Sequence, residues 1–306
     1  GYFKRVSMRS YGASRDDMTG LKEGDHLVGY GEVNTLDHVL FFTTQGTYGY
    51  TPVYDVEESR WKEIGSHINS TIRISGEEKI TDAFVLRSFA TNAYMISVTK
   101  NGLVKKTAVR EYKTMSNMKL LDGDAVVKTM VAYAYDEILI ASKNGFVSRY
   151  PVSLIPETSP RSKGVKAMNL VLDEIVSACI SHGDASQLIV FTDQCQMKRI
   201  KLSDVDVTGR PTKGSMICKK VKSKPYQIAH IALHDLNDEL VIINEETQKI
   251  LAKDISLMSK DATFSSPLHT TQDYYFLRTL AAVEQRELPA IQEEKQEFEE
   301  IELFED

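Results

Sequence analysis

The chain repeats itself, and the length of the repeat restricts the fold more than any other feature. A short apolar run, a turn and a second run carrying basic residues recur as "VLFFTTQGTYGYTPV", "AYMISVTKNGLVKKTAV", "EILIASKNGFVSRYPVSLI", "QLIVFTDQCQMKRIKLSDV" and "ELVIINEETQKILAKDISL". The opening "GYFKRVSMRSY" matches the second half of this unit, which makes six copies, the first without its leading strand. Turn residues fall at Gly1, Gly46, Gly102, Gly145, Cys195 and Gln248, at spacings of 45, 56, 43, 50 and 53. A period near 50 belongs to propeller blades rather than to helical solenoids.

The local chemistry agrees with strands. "ILIAS" and "LIVFT" are short and rich in β-branched or aromatic residues, and "KNG" tolerates the positive φ of a tight hairpin turn. The segments between hairpins show no sustained helical periodicity and carry a further apolar strand, so each unit is expected to hold about four strands. Radial repetition of such small sheets leaves only short, protected edges. The expected fold is all-β, a six-bladed propeller-like disc over residues 1–283, followed by an acidic, disordered tail over 284–306.

That division explains the charge. The whole chain is at −6, but residues 284–306 hold ten acidic and two basic side chains. The remaining body, with 35 basic and 33 acidic residues, is close to +2. No apolar run reaches the roughly 18 residues needed to cross a bilayer. The three cysteines, Cys179, Cys195 and Cys218, lack CxxC spacing, which points to a reducing cytoplasm rather than to a disulfide framework or a zinc site. A start at Gly1, with a strand already under way, reads as a fragment of a longer protein.

Motifs for catalysis are missing from the sequence: there is no P-loop, HExxH or GxSxG, and "GYGEV" has too few glycines for a dinucleotide site. His230 and His234 share a face but have no third metal ligand nearby, and Asp16 and Asp17, as neighbours on an extended chain, point apart. No catalytic or metal residue is assigned. A propeller hydrolase would need carboxylates converging on the central channel, and none recur there. A protein-binding scaffold would instead use apolar patches on the disc face.

Cations give the positional signal. Four residues after the turn stand Arg5, Lys106, Arg149 and Arg199, with Tyr50 and Ala252 in the other two repeats, and Lys4, Lys105 and Lys198 adjoin three of the four. On a disc these would form an arc along one rim. Arg110 and Lys201 lie nearby, and later loops add Arg161, Lys163 and Lys166, then Arg210, Lys213, Lys219, Lys220, Lys222 and Lys224. Such cations suit phosphates rather than base edges, so the expected partner is a curved, phosphate-bearing polyanion bound with little sequence preference. Reversing Lys105, Lys106 and Arg149 to Glu is expected to weaken that binding without unfolding the domain.

With these repeats the sequence resembles the C-terminal domain of bacterial type IIA topoisomerase A subunits, over roughly residues 1–280. The resemblance implies a β-pinwheel that binds and bends DNA around its rim. It also implies that an N-terminal cleavage core precedes this domain, and that a separate ATPase, the B subunit of a heterotetramer, uses ATP and Mg2+. The fragment itself would be monomeric, without a cofactor and without the cleaving tyrosine. The holoenzyme would be cytoplasmic and chromosome-associated, with peripheral membrane association left open. Gyrase-type members carry a box close to "QRRGGKG" in the first blade. Here that place reads Ser14, Arg15, Asp16, Asp17, Met18, Thr19 and Gly20, in which only Arg15 and Gly20 match. Two later loops, "SPRSKGVK" and "TGRPTKGS", read as counterparts of this one with the opposite sign. The eroded box favours the topoisomerase IV branch, which decatenates and relaxes DNA, over gyrase-type wrapping.

Overall fold

A computed structural model of the chain describes residues 1–12, 20–27, 29–71, 73–76, 78–183, 187–218, 225–243, 247–265, 275–280 and 282–287. Strands β1 (Tyr2–Phe3) and β2 (Gly29–Tyr30) precede the first full hairpin, β3 (His38–Thr43) and β4 (Thr47–Pro52), which is followed by β5 (Ser66–His67) and β6 (Ile80–Leu86). The pattern then recurs as β7 (Tyr94–Thr99), β8 (Leu103–Ala108), β9 (Ser116–Asn117) and β10 (Val126–Ala132). Next come β11 (Glu137–Ser142), β12 (Phe146–Pro151), β13 (Val165–Lys166) and β14 (Ile175–Ser181). The last repeats give β15 (Gln187–Thr192), β16 (Met197–Lys201), β17 (Ser215–Met216), β18 (Ile228–His234), β19 (Glu239–Ile243) and β20 (Thr247–Leu251). β21 (Tyr275–Phe276), β22 (Arg278–Thr279) and β23 (Ala282–Val283) are the last strands among the described residues.

Each blade is built on an antiparallel hairpin, and those of β3/β4, β7/β8 and β11/β12 carry additions on both sides. On one side lies the long strand that follows it, as β10 beside β7, β14 beside β11 and β18 beside β15. On the other lies a two-residue strand lent by the next repeat: β9 covers β4, β13 covers β8 and β17 covers β12. This exchange protects the edge that an isolated hairpin would expose. The turns behave as the spacing requires, with φ of 78° at Gly46, 95° at Gly102 and 101° at Gly145; Cys195 fills the same place at φ 56° without being glycine.

The apolar runs are continuous because both faces of each blade are covered. Ile138 and Ile140 of β11 share a core with Ile96 and Val98 of the preceding blade. Leu139 and Ala141, between them in sequence, share the next core with Leu188 and Val190. Cores therefore lie between blades, and the long strands β6, β10, β14 and β18 pack on one another in chain order.

The final segment returns to the start. β22 pairs in parallel with β2, and β23 in parallel with β6. The carbonyl of Glu284 accepts hydrogen bonds from Tyr133 Oη at 2.6 Å and Thr91 Oγ1 at 3.3 Å, while Arg286 and Asn92 exchange two more. The acidic stretch expected to be a free tail from residue 284 thus begins as packed structure, at least through Arg286. Its remainder, 288–306, lies outside the described residues.

Candidate nucleic-acid interface

The strand cations do not form an arc on the rim. Lys105, on β8, is 2% exposed, and Lys198, on β16, is fully buried. Lys198 Nζ donates to the carbonyls of Lys260 and Ala262 at 2.8 Å and of Ser259 at 3.4 Å. Lys105 Nζ donates to the carbonyl of Pro160, and Lys4 Nζ to those of Trp61 at 2.5 Å and Glu63 at 2.8 Å. In every case the acceptors belong to a loop of the following repeat. Loss of hydration lowers the pKa of both Lys105 and Lys198 to about 8.

The neighbouring position makes a second clamp. Arg5 Nε donates to Val56 O at 3.0 Å, Lys106 Nζ to Val152 O at 3.2 Å, Arg149 Nη1 to Leu202 O at 2.9 Å and Val205 O at 3.2 Å, and Arg199 Nε to Ile255 O at 3.1 Å. All of these acceptors lie in or just after the 3-10 turn of the next repeat. Arg149 is also held by Glu137 at 2.6 Å, and Arg5 by Glu58 at 3.6 Å. The cause is the strand exchange: the strand after each turn runs beneath the next repeat, as bridges from Arg5 to Glu58, Lys106 to Glu157, Arg149 to Val207 and Arg199 to Leu257 record. A carboxylate at Lys105 would face the Pro160 carbonyl in the interior, so charge reversal there attacks the fold, contrary to the sequence expectation.

The loops held by these clamps keep their cations outside. Arg161, Lys163, Lys166, Lys201 and Lys213 are exposed, as is Arg110, which pairs with Glu157 at 3.2 Å. Gly164 (φ 91°) and Gly214 (φ 81°) seat the two basic loops on the preceding blade; a Cβ on Gly164 would lie 2.6 Å from Val104 O, and one on Gly214 would strike Val147 O. Lys213 Nζ stands 4.3 Å from the centre of the Phe146 ring. Arg210 is partly committed, donating to the carbonyls of Leu154 and Lys166 at 3.1 and 2.5 Å. Lys219, Lys220, Lys222 and Lys224 fall outside the described residues, as do Ser14, Arg15, Asp16, Asp17, Met18 and Thr19.

Gly20 is described, and it corrects the alignment of loops. Its position abuts Trp61 O, Glu63 O and Lys4 Nζ. The clamp of Lys4 on residues 61–63 matches that of Lys105 on Pro160, so the counterpart of "SPRSKGVK" is "RWKEIGSH" at 60–67, and Gly65 (φ 89°) matches Gly164. Gly20 packs on that loop rather than standing in its place.

A polar girdle on the inner strands had no counterpart in the sequence reading. The third residues of β6, β10, β14 and β18 are Asp82, Lys128, Ser177 and His230. Asp82 pairs with Lys128 at 2.8 Å and with Arg278, and it accepts the Thr129 N–H. Ser177 Oγ lies 3.0 Å from His230 Nδ1, whose ring stacks on Phe276 at 4.7 Å. Burial, followed by Lys128 and Arg278, holds His230 down to about 3, so the imidazole is neutral. Burial pushes Cys179 up to about 12. One carboxylate matched by two cations is an assembly of the interior, not the paired carboxylates of a hydrolase. A bulge at the start of each of these strands, as between Val126 and Lys128, sets the shared register. Among the described residues no group of three or more His, Cys, Asp or Glu could hold a metal ion, and no helix is long and apolar enough to cross a membrane.

Known proteins share this fold. The family described as DNA gyrase C-terminal domain, beta-propeller, matches residues 37–87, 93–132, 136–182 and 186–234. The A subunit of DNA topoisomerase 4 from Staphylococcus epidermidis is 30% identical over 281 residues, covering 90% of this chain and 35% of that protein. The Staphylococcus aureus protein of the same name is also 30% identical, over 90% of this chain and 34% of its own. The chain thus spans about a third of the length of these curated relatives. A solved C-terminal domain of DNA topoisomerase IV is 31% identical and superposes with a TM-score of 0.79, covering 88% of this chain and 85% of that one. A DNA gyrase A C-terminal domain, 19% identical with a TM-score of 0.69 over 90% of this chain and 96% of its own, shares the fold.

Proposed function

The chain belongs to the DNA gyrase C-terminal domain, beta-propeller family, and from that membership we propose that it binds and bends double-stranded DNA as the C-terminal domain of a topoisomerase IV A subunit. It would present DNA to a cleavage core elsewhere in the same polypeptide, for decatenation and relaxation driven by ATP hydrolysis with Mg2+ on the B subunit. The observation that carries the reading is the pair of loops around Gly164 and Gly214, seated on the preceding blade with Arg161, Lys163, Lys166 and Lys213 exposed.

Fixed cations suit a bent polyanion. Bending a site of 20 to 30 base pairs by 40 to 90° costs about 1 to 6 kcal/mol, and several phosphate contacts acting together offset it where one would not. The seats of the loops mean that little ordering entropy is lost on binding. Release of counterions from about six phosphates gives a log–log salt slope of roughly −5.

The test is binding of a 30-base-pair duplex across a salt series. Arg161→Gln, Lys163→Gln and Lys213→Gln combined are expected to weaken binding by at least tenfold at low salt and to make the slope shallower by about 3. Wild-type affinity and slope in the triple variant would reject the loop interface. Ligation of nicked circles separates the two branches: bending alone leaves the linking number unchanged, and a positive shift would assign gyrase-type wrapping.

A further inference from the structure

We infer that Val171 and Leu172 form an apolar wedge that enters a duplex between two base pairs and kinks it, an inference that rests on the DNA-binding reading above. Leu172 is 99% exposed and Val171 76%. Leu172 also has φ 49°, in the left-handed region where Cβ crowds the following carbonyl oxygen.

The preceding repeat shows what this place requires. Asp124 Oδ1 accepts the Asn101 N–H at 2.8 Å, and Asp173 Oδ1 accepts the Asn144 N–H at 3.0 Å, so the two aspartates are equivalent. The residue before each is left-handed. In the first loop it is Gly123, φ 70°, preceded by Asp122; in the second it is Leu172, preceded by Val171. Glycine meets the backbone requirement without strain. The second loop meets it with a strained leucine whose side chain touches almost nothing.

The base of this tip is firm. Asn144 Nδ2 donates to Leu172 O at 3.1 Å, Asn169 N to Thr212 O at 2.8 Å, and Leu170 lies against the turn glycine Gly102. Lys100 and Lys143, from the hairpin turns on either side, converge on Glu174 at 3.0 and 2.9 Å with their side chains 48% and 40% exposed. Lys213 opens onto the cleft that Val171 and Phe146 line.

This bracketing selects the occupant. Two apolar side chains are far short of the roughly 800 Å² per partner that a stable protein interface buries, and cations on both sides match a phosphate backbone. Proteins that kink DNA through the minor groove insert Leu, Ile, Met or Phe between base steps, and the unstacking cost is offset by the extra surface that bent DNA contacts. Lysines hold the backbones, and the leucine opens the step. Flexible pyrimidine–purine steps yield first.

The experiment uses the 306-residue chain and a 30-base-pair duplex with 2-aminopurine at a central TA step and fluorophores at its ends. Wild type is expected to raise the 2-aminopurine emission several-fold and shorten the end-to-end distance. Leu172→Gly and Leu172→Asn, both tolerant of positive φ, are expected to abolish the emission rise and reduce the bend. Affinity should fall less than tenfold, and the thermal midpoint should stay or rise, the opposite of what a packing role predicts. A duplex that is bound without a rise in emission, or a full rise with Leu172→Gly, overturns the wedge and leaves DNA binding standing. A chain that binds no duplex overturns both readings. A Leu172→Gly variant that changes only the chain's self-association makes the tip a contact between copies and overturns the wedge.

Discussion

Lys105 and Lys163 carry the same charge, sit on successive repeats, and meet opposite fates. Lys105 is buried on a strand and donates to Pro160 O; Lys163 is exposed on the loop that Pro160 begins. The buried cation fixes the loop that displays Arg161 and Lys163. The same construction recurs where Lys4 grips residues 61–63 beside exposed Arg60 and Lys62. A basic residue in this fold therefore has two uses, and the edge exchange between repeats decides which one applies.

The widest separation between the two uses should come from charge reversal. Lys105→Glu or Lys198→Glu places a carboxylate among carbonyl oxygens without water, a change expected to cost about 3 to 5 kcal/mol out of a total stability of about 5 to 15 kcal/mol. Urea unfolding followed by circular dichroism should show a large fall in midpoint or loss of the cooperative transition. Lys163→Glu should leave the unfolding free energy within about 0.5 kcal/mol of wild type while weakening DNA binding. Equal midpoints for Lys105→Glu and Lys163→Glu would break the distinction.

Repeat number, hairpins and the turns at Gly46, Gly102, Gly145 and Cys195 were legible because they depend on local chemistry, whereas Gln248, expected at the sixth turn, lies inside β20 opposite Ile242. Cys195 could be placed at a turn by spacing alone, and its φ of 56° puts it where Gly102 and Gly145 stand. What the sequence did not reveal is what covers β8, because the covering strand, Val165–Lys166, and the loop that leads into it arrive from some 60 residues downstream. Period-two alternation gives two faces but not their neighbours. The regular placing of Arg5, Lys106, Arg149 and Arg199 was a true signal of a repeated role, and the role is internal. The girdle of Asp82, Lys128, Ser177 and His230 was hidden differently: four unlike residues share a register that only the bulges reveal. Leu172 escaped notice because a leucine after an apolar run reads as core.

Titration gives a smaller effect with a defined sign. Lys105 and Lys198 have folded pKa values of about 8 against an ordinary 10.5. Between these limits the unfolded chain binds more protons than the folded one, so stability from each lysine rises as pH increases from 8 towards 10.5 and is flat below 8. Each unit of separation is worth about 1.4 kcal/mol. Relative to a Lys105→Met, Lys198→Met variant, wild type should gain stability from pH 7.5 to 10 in urea titrations. A constant difference would show that the carbonyl cages hold both lysines charged throughout and that burial does not govern them.

The smallest effect is expected where the series lacks a cation. Tyr50 occupies the position of Arg5, Lys106, Arg149 and Arg199, and its hydroxyl donates to Lys113 O at 3.1 Å, reaching the next repeat as the cations do. Its ring lies 4.9 Å from that of Phe89 and 5.8 Å from that of His38, and Tyr50→Phe keeps both contacts. Only a neutral, solvent-accessible hydrogen bond is removed, so the expected cost is about 0.5 to 1 kcal/mol. Arg149→Met, which strips two carbonyls and Glu137 of their partner, should cost about 1.5 to 3 kcal/mol. Comparable losses for the two variants would make charge irrelevant to the clamp and reduce the series to hydrogen bonds of one kind. An undetectable loss for Tyr50→Phe would place the junction between the second and third repeats under its apolar core, Phe42, Tyr48 and Tyr112, and leave the clamp to the repeats that carry Lys or Arg.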